Sequence, residues 1–108
     1  MRIINEDLSP RLHDATIVAI VVDYAMGVVT VGMRLSEPGT PNAELRASGF
    51  TALMLPRAAL WGPSASVNTA IVSDADDGVC LHLYLQSGDK LVVHATMVEF
   101  GGTEATGP

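Results

Sequence analysis

Three histidines (His13, His82 and His94), one cysteine (Cys80) and the serines that follow the only tryptophan are the side chains here best suited to nucleophilic, acid–base or metal chemistry. Ser64 or Ser66 as a nucleophile would need an imidazole base oriented by a carboxylate, an arrangement that His13 next to Asp14 invites. The Gly-x-Ser-x-Gly elbow that exposes such a serine is absent. A small β domain also has little room for both a substrate pocket and an oxyanion hole. Metal binding asks for a close ligand pair such as His-x-His, and the three histidines stand apart in sequence. Asp74, Asp76 and Asp77 imitate the start of a calcium loop, but Gly78 occupies the fifth position, where the EF-hand pattern wants Asp or Asn. No Gly-rich phosphate loop or dinucleotide fingerprint occurs. These residues predict a chain that is not an enzyme, with no catalytic residues, no metal and no cofactor.

Binding is the remaining chemistry. Trp61-Gly62-Pro63-Ser64, running on to Ser66-Val67-Asn68, is the most distinctive segment. Trp61 in a turn-rich loop reads as a plug that caps one end of the core, with Ser64 and Ser66 satisfying loop backbone groups. It also reads as a recognition or oligomer contact, because Trp is enriched in interface hot spots. His13 and Asp14 directly precede the first strong strand and are suited to bonding its first backbone groups. His82 shares a strand face with Tyr84. Trp61, Ser64, Ser66, Asn68, His13, Asp14, His82 and Tyr84 are therefore the candidate binding or interface residues.

The elements that must position them are extended. Ala15 to Tyr24 is rich in β-branched residues, which fit a pleated surface. It is apolar on both faces, which predicts a central strand buried on two sides. Gly27 supplies a hairpin turn into Val28 to Leu35, whose apolar face is Val29, Val31, Met33 and Leu35. After a loop at Ser36 to Asn42, Ala43, Leu45 and Ala47 face inward. Gly49 predicts a bulge in a strand that resumes through Leu55, and Pro56 stops it. Ser66 to Ser73 is a strand, and Asp77-Gly78 a tight turn. Val79, Leu81, Leu83 and Leu85 alternate with Cys80, His82, Tyr84 and Gln86. Lys90 to His94 returns after Ser87-Gly88-Asp89, with Thr96 to Phe100 continuing it. Residues 1–100 read as a single β domain and 101–108 as a flexible tail. The fold class expected is all-β: an antiparallel sandwich or partly closed barrel of about seven or eight short strands.

Composition narrows the partners. The chain has 108 residues, enough for one domain that buries roughly 60–70% of its unfolded surface. Charged residues are 17% against 48% hydrophobic, which points to a homo-oligomer or a protein partner that covers apolar surface. Six scattered Lys and Arg in a net charge of −6 leave no basic stripe for nucleic acid or an anionic membrane. The longest aliphatic run, Ile17 to Val22, is far short of a membrane helix. The first residues carry no apolar leader, and the one cysteine allows no intrachain disulfide, so a cytoplasmic location is expected.

Leu12-His13-Asp14-Ala15, Trp61-Gly62-Pro63-Ser64 with Ser66-Val67-Asn68, and Gln86-Ser87-Gly88-Asp89 together resemble a group of small, uncharacterised bacterial all-β proteins. The resemblance brings no catalytic residues. His13-Asp14-Ala15 is also similar to a short stretch of bacterial toxin-immunity proteins. That likeness implies an acidic inhibitor that meets a basic toxin through complementary charge. Two roles follow from these readings: a non-enzymatic binding or oligomeric scaffold module, and alternatively an immunity-type inhibitor.

Overall fold

The computed structural model describes residues 2–3, 6–35, 42–58 and 65–103. Within them the chain runs β1 (Arg2–Ile3), β2 (Glu6–Asp7), α1 (Ser9–Leu12), β3 (Thr16–Asp23), β4 (Val28–Arg34), β5 (Asn42–Ser48), β6 (Ala52–Met54), β7 (Val67–Ala75), β8 (Gly78–Leu85), β9 (Lys90–Ala95) and β10 (Met97–Thr103). The strands form two open five-stranded antiparallel sheets, ordered β1-β10-β5-β4-β3 and β2-β7-β8-β9-β6. The fold is an all-β sandwich, not a closed barrel. It has more strands than the expected seven or eight, because two-residue strands at the start and two sheet changes add to the count.

Alternation decides which side chains meet between the sheets. Val29, Val31 and Met33 of β4, Ala43, Leu45 and Ala47 of β5, and Val98 of β10 are buried from one side. Val67, Ala70 and Val72 of β7, Leu81 and Leu83 of β8, and Leu91, Val93 and Ala95 of β9 are buried from the other. Each fully buried Val or Leu contributes roughly 1.5–3 kcal/mol over leaving it exposed. Leu8 and Leu12, from the chain around the single turn α1, together with Ala15 and Val79, add to the core.

Four expectations differ from the structure. Ala15 to Tyr24 is not a central strand: β3 is a lateral strand of its sheet, and β4 is the one described strand laddered to it. Its two apolar faces do not mean double burial. Gly49 is not a bulge within one strand. It has φ +67°, and there the chain leaves the first sheet at β5 and enters the second at β6. Likewise Thr96 to Phe100 does not continue β9. The chain changes sheets at Thr96, and β10 inserts between β1 and β5. β10 also runs to Thr103, paired there with Asn42, beyond the strand end expected at Phe100.

Candidate binding surface

The four lateral strands differ in length. β1 and β2 have two residues each and β6 has three, with Pro56 close behind it; β3 has eight. Short edges and prolines blunt edge-to-edge pairing, whereas a long apolar edge invites it. The next strand in, β7, is shielded by the start of the chain. Glu6 and Asp7 pair with Val72 and Ile71, and the Leu8 amide donates to the Ala70 carbonyl at 2.7 Å. Among the described residues, β3 has such cover only at its start, where the Ile17 amide donates to the Ala65 carbonyl (2.8 Å) and Thr16 bridges Ser66. No described strand lies beyond Val18 to Asp23.

That stretch is apolar and exposed: Val18 63%, Val21 60% and Val22 42%. Exposed Tyr24 and Met26 follow at the hairpin tip. Val18 is exposed because the ladder to β4 slips there. Ile17 faces Met33 and Ala19 faces Gly32, leaving Val18 as the extra residue of a bulge. Beyond the bulge the ladder is regular. Ile20 and Val22 lie opposite the buried Val31 and Val29, so they share the inter-sheet face; Ala19, Val21 and Asp23 take the outer face.

Beside β3 the sandwich opens into a cleft of about 390 Å³. Ile17, Val18 and Ile20 form one lip, and Leu55, Pro56 and Arg57, just after β6, form the other. Leu85 and Leu91 line it from the second sheet, and Asp89 reaches it from the β8–β9 turn. The Asp89 carboxylate is already engaged: it accepts from the Ala58 amide (3.2 Å) and the Ser87 hydroxyl (3.2 Å).

Trp61 and Ser64 lie outside the described residues. The other predicted residues fall into two separate groups. His13, Asp14, Ser66 and Asn68 meet between α1, β3 and the start of β7. His13 Nδ1 donates to the Asn68 carbonyl at 2.9 Å, which places a proton on Nδ1. Its Nε2 is 3.7 Å from Asp14 Oδ1, an exposed pair of little energetic weight. Asp14 has φ +68°, a left-handed conformation that Asp tolerates. Its amide donates to the Val67 carbonyl, and the Val67 amide donates to the Ala15 carbonyl, both at 2.8 Å. Gln86, not among the predicted residues, completes this group. Its Nε2 donates to Asp14 Oδ1 at 2.6 Å, and its amide donates to the Ser66 carbonyl at 2.9 Å. The Leu-His-Asp, Ser-Val-Asn and Gln-Ser-Gly-Asp segments, distant in sequence, thus touch in space.

His82 and Tyr84 lie elsewhere, stacked with ring centroids 6.4 Å apart, and Lys90 Nζ sits 5.0 Å from the Tyr84 ring centroid. His82 is opposite Val92, and Cys80 opposite His94, so all four face outward from the second sheet. Burial, then the nearby charges of Lys90 and His94, holds the His82 pKa below the usual imidazole value. His82 Nδ1 is buried without a hydrogen-bond partner among the described residues, consistent with a neutral ring. Cys80 Sγ is 3.8 Å from His94 Nε2, the geometry of a thiol–imidazole pair. Burial nevertheless raises the thiol pKa, partly offset by Lys90, opposite to the shift of a nucleophilic thiolate. Among the described residues no three His, Cys, Asp or Glu side chains gather as a metal site, and no helix is long and apolar enough to cross a membrane.

No protein family, curated protein or solved structure matches the chain.

Proposed function

We propose that this chain is a non-enzymatic binding module that works as a homo-oligomeric scaffold, joining copies of itself through β3. The observation that carries this reading is the exposure of Val18, Val21 and Val22 on a long lateral strand with no described strand beyond them. Unpaired edge amides and carbonyls template another strand, and the apolar side chains add burial to those hydrogen bonds. The composition agrees: few charged residues cover a largely apolar chain.

Light scattering across a concentration series tests it. The expected mass at high micromolar concentration is that of a dimer or larger symmetric assembly; a monomer throughout that range overturns the reading. The net charge of −6 favours a second reading, an immunity-type inhibitor of a basic bacterial toxin. That reading expects a chain that stays monomeric alone and forms a tight, salt-sensitive complex with such a toxin.

A further inference from the structure

We propose that the strand received by β3 is β3 of a second copy, antiparallel about a twofold axis through Val21, so that the partner copy closes the apolar cleft. This rests on self-assembly through β3 and adds its occupant and register.

The regular part of the β3 ladder runs from Ala19 to Asp23, bounded by the Val18 bulge and by the hairpin turn. Its midpoint is Val21. Directly opposed residues in an antiparallel pair point to the same face. A twofold pairing must therefore keep Ile20 and Val22 on the inter-sheet side, which an axis through a residue does. With the axis at Val21, Ile20 faces the partner's Val22, Ala19 faces the partner's Asp23, and Val21 faces its own copy.

Three features favour a second copy at this register. The other lateral strands have only two or three residues, so β3 is the one described edge that offers five consecutive pairs. No like charges are opposed. Asp23 meets Ala19, and the two Asp23 side chains stand four residues apart along the strand, about 13 Å, beyond the screening length of about 8 Å. The apolar surface is also self-complementary. Ile20 lines the cleft and Val22 is exposed on the same face. The partner's Val22 lands beside Ile20 and covers the lip of the cleft, and the same contact recurs across the axis. The cleft is thus open in one copy and roofed by the next.

Cysteine scanning reads the register directly. A residue on the axis faces itself across about 4.5–5.5 Å between Cα atoms, inside the disulfide span of about 4.4–6.8 Å. Val21→Cys should form a covalent dimer under mild oxidation. Thr30→Cys, on the same face but one strand inward, would sit about 14 Å from its copy and should not. The wild type, whose Cys80 is buried, is the background control. Val21→Lys opposes two like charges and should weaken assembly at least about tenfold, with circular dichroism confirming the fold. A dimer in which Val21→Cys crosslinks no better than Thr30→Cys, or in which Val21→Lys leaves the dissociation constant unchanged, overturns this register while self-assembly stands. A wild type that is monomeric overturns both.

Discussion

Gly49 and Thr96 lie against one another at the corner where two segments cross between the sheets. A Cβ on Gly49 would come within 2.5 Å of Thr96 Oγ1 and 3.0 Å of Thr96 Cβ. The Thr96 amide donates to the Ser48 and Gly49 carbonyls at 3.0 and 3.2 Å. The two crossovers, β5 to β6 and β9 to β10, are therefore one packed joint, and Gly49 meets both of its demands: a positive φ and no side chain.

Replacing Gly49 with Ala should thus destabilise the fold by roughly 1–3 kcal/mol, from backbone strain and overpacking together. Gly101→Ala, at a strand position with open space around it, should stay within about 0.5 kcal/mol. Urea denaturation of both variants checks the contrast. Equal midpoints would mean that the corner relaxes freely.

Leu83 is buried on the inner face, between Ala70 and Leu91 on the neighbouring strands. Leu83→Ala should cost about 2–5 kcal/mol, as truncation in a closed core does. Leu55→Ala, on the exposed lip of the cleft, should cost less than about 1 kcal/mol in the isolated chain. A small effect at Leu83 would contradict the register of β8.

His82 supplies a pH dependence. Its folded pKa lies below the usual imidazole value, so the unfolded chain binds this proton more readily. The stability it contributes is whole above about pH 6.5 and is lost as the pH falls through the folded pKa. Thermal midpoints should drop between about pH 7 and pH 5, before the carboxylates titrate. His82→Phe, which keeps a ring against Tyr84, should flatten that drop. An unchanged slope in the variant would overturn the assignment to His82.

Self-assembly through an apolar strand between chains of net charge −6 should tighten as salt is added. Screening shortens from about 30 Å at 0.01 M to about 3 Å at 1 M, which removes repulsion between the copies and leaves the strand pairing. Sedimentation at both salt concentrations measures it. An assembly that loosens with salt would be held by ion pairs instead of β3.

What the sequence reveals and what it hides divide along physical lines. Alternation places Val29, Val31 and Met33, or Leu81 and Leu83, on buried faces, because period two reports which way a side chain points. It also puts His82 and Tyr84 together on the opposite face. Alternation is silent about lateral position, so Ile17 to Val22, apolar on both sides, reads as a strand buried at the centre when it stands at the edge. It is equally silent about which sheet a strand joins, and Gly49 and Thr96 look like interruptions when they are crossings. His13 and Asp14 announce a polar group before β3. Their partners Asn68 and Gln86 arrive through pairing distant in sequence, and nothing local to either residue reveals it. The cleft has no sequence signal at all, because one lip is β3 and the other a segment far along the chain, just after β6 of the other sheet.

The place of β10 between β1 and β5 has a consequence for how the chain matures. Every other strand of both sheets is synthesised before β10, so until it emerges β5 is itself a lateral strand and Val98 is missing from the core. The first sheet therefore cannot close progressively as the chain leaves the ribosome. It waits for the last of the described strands, whose partners Asn42 to Ser48 were made about 50 to 60 residues earlier. Such long-range pairing makes folding slow, on the order of milliseconds to seconds. During that wait both β3 and β5 offer edges, and the nascent chain is more exposed to wrong strand partners than the finished one.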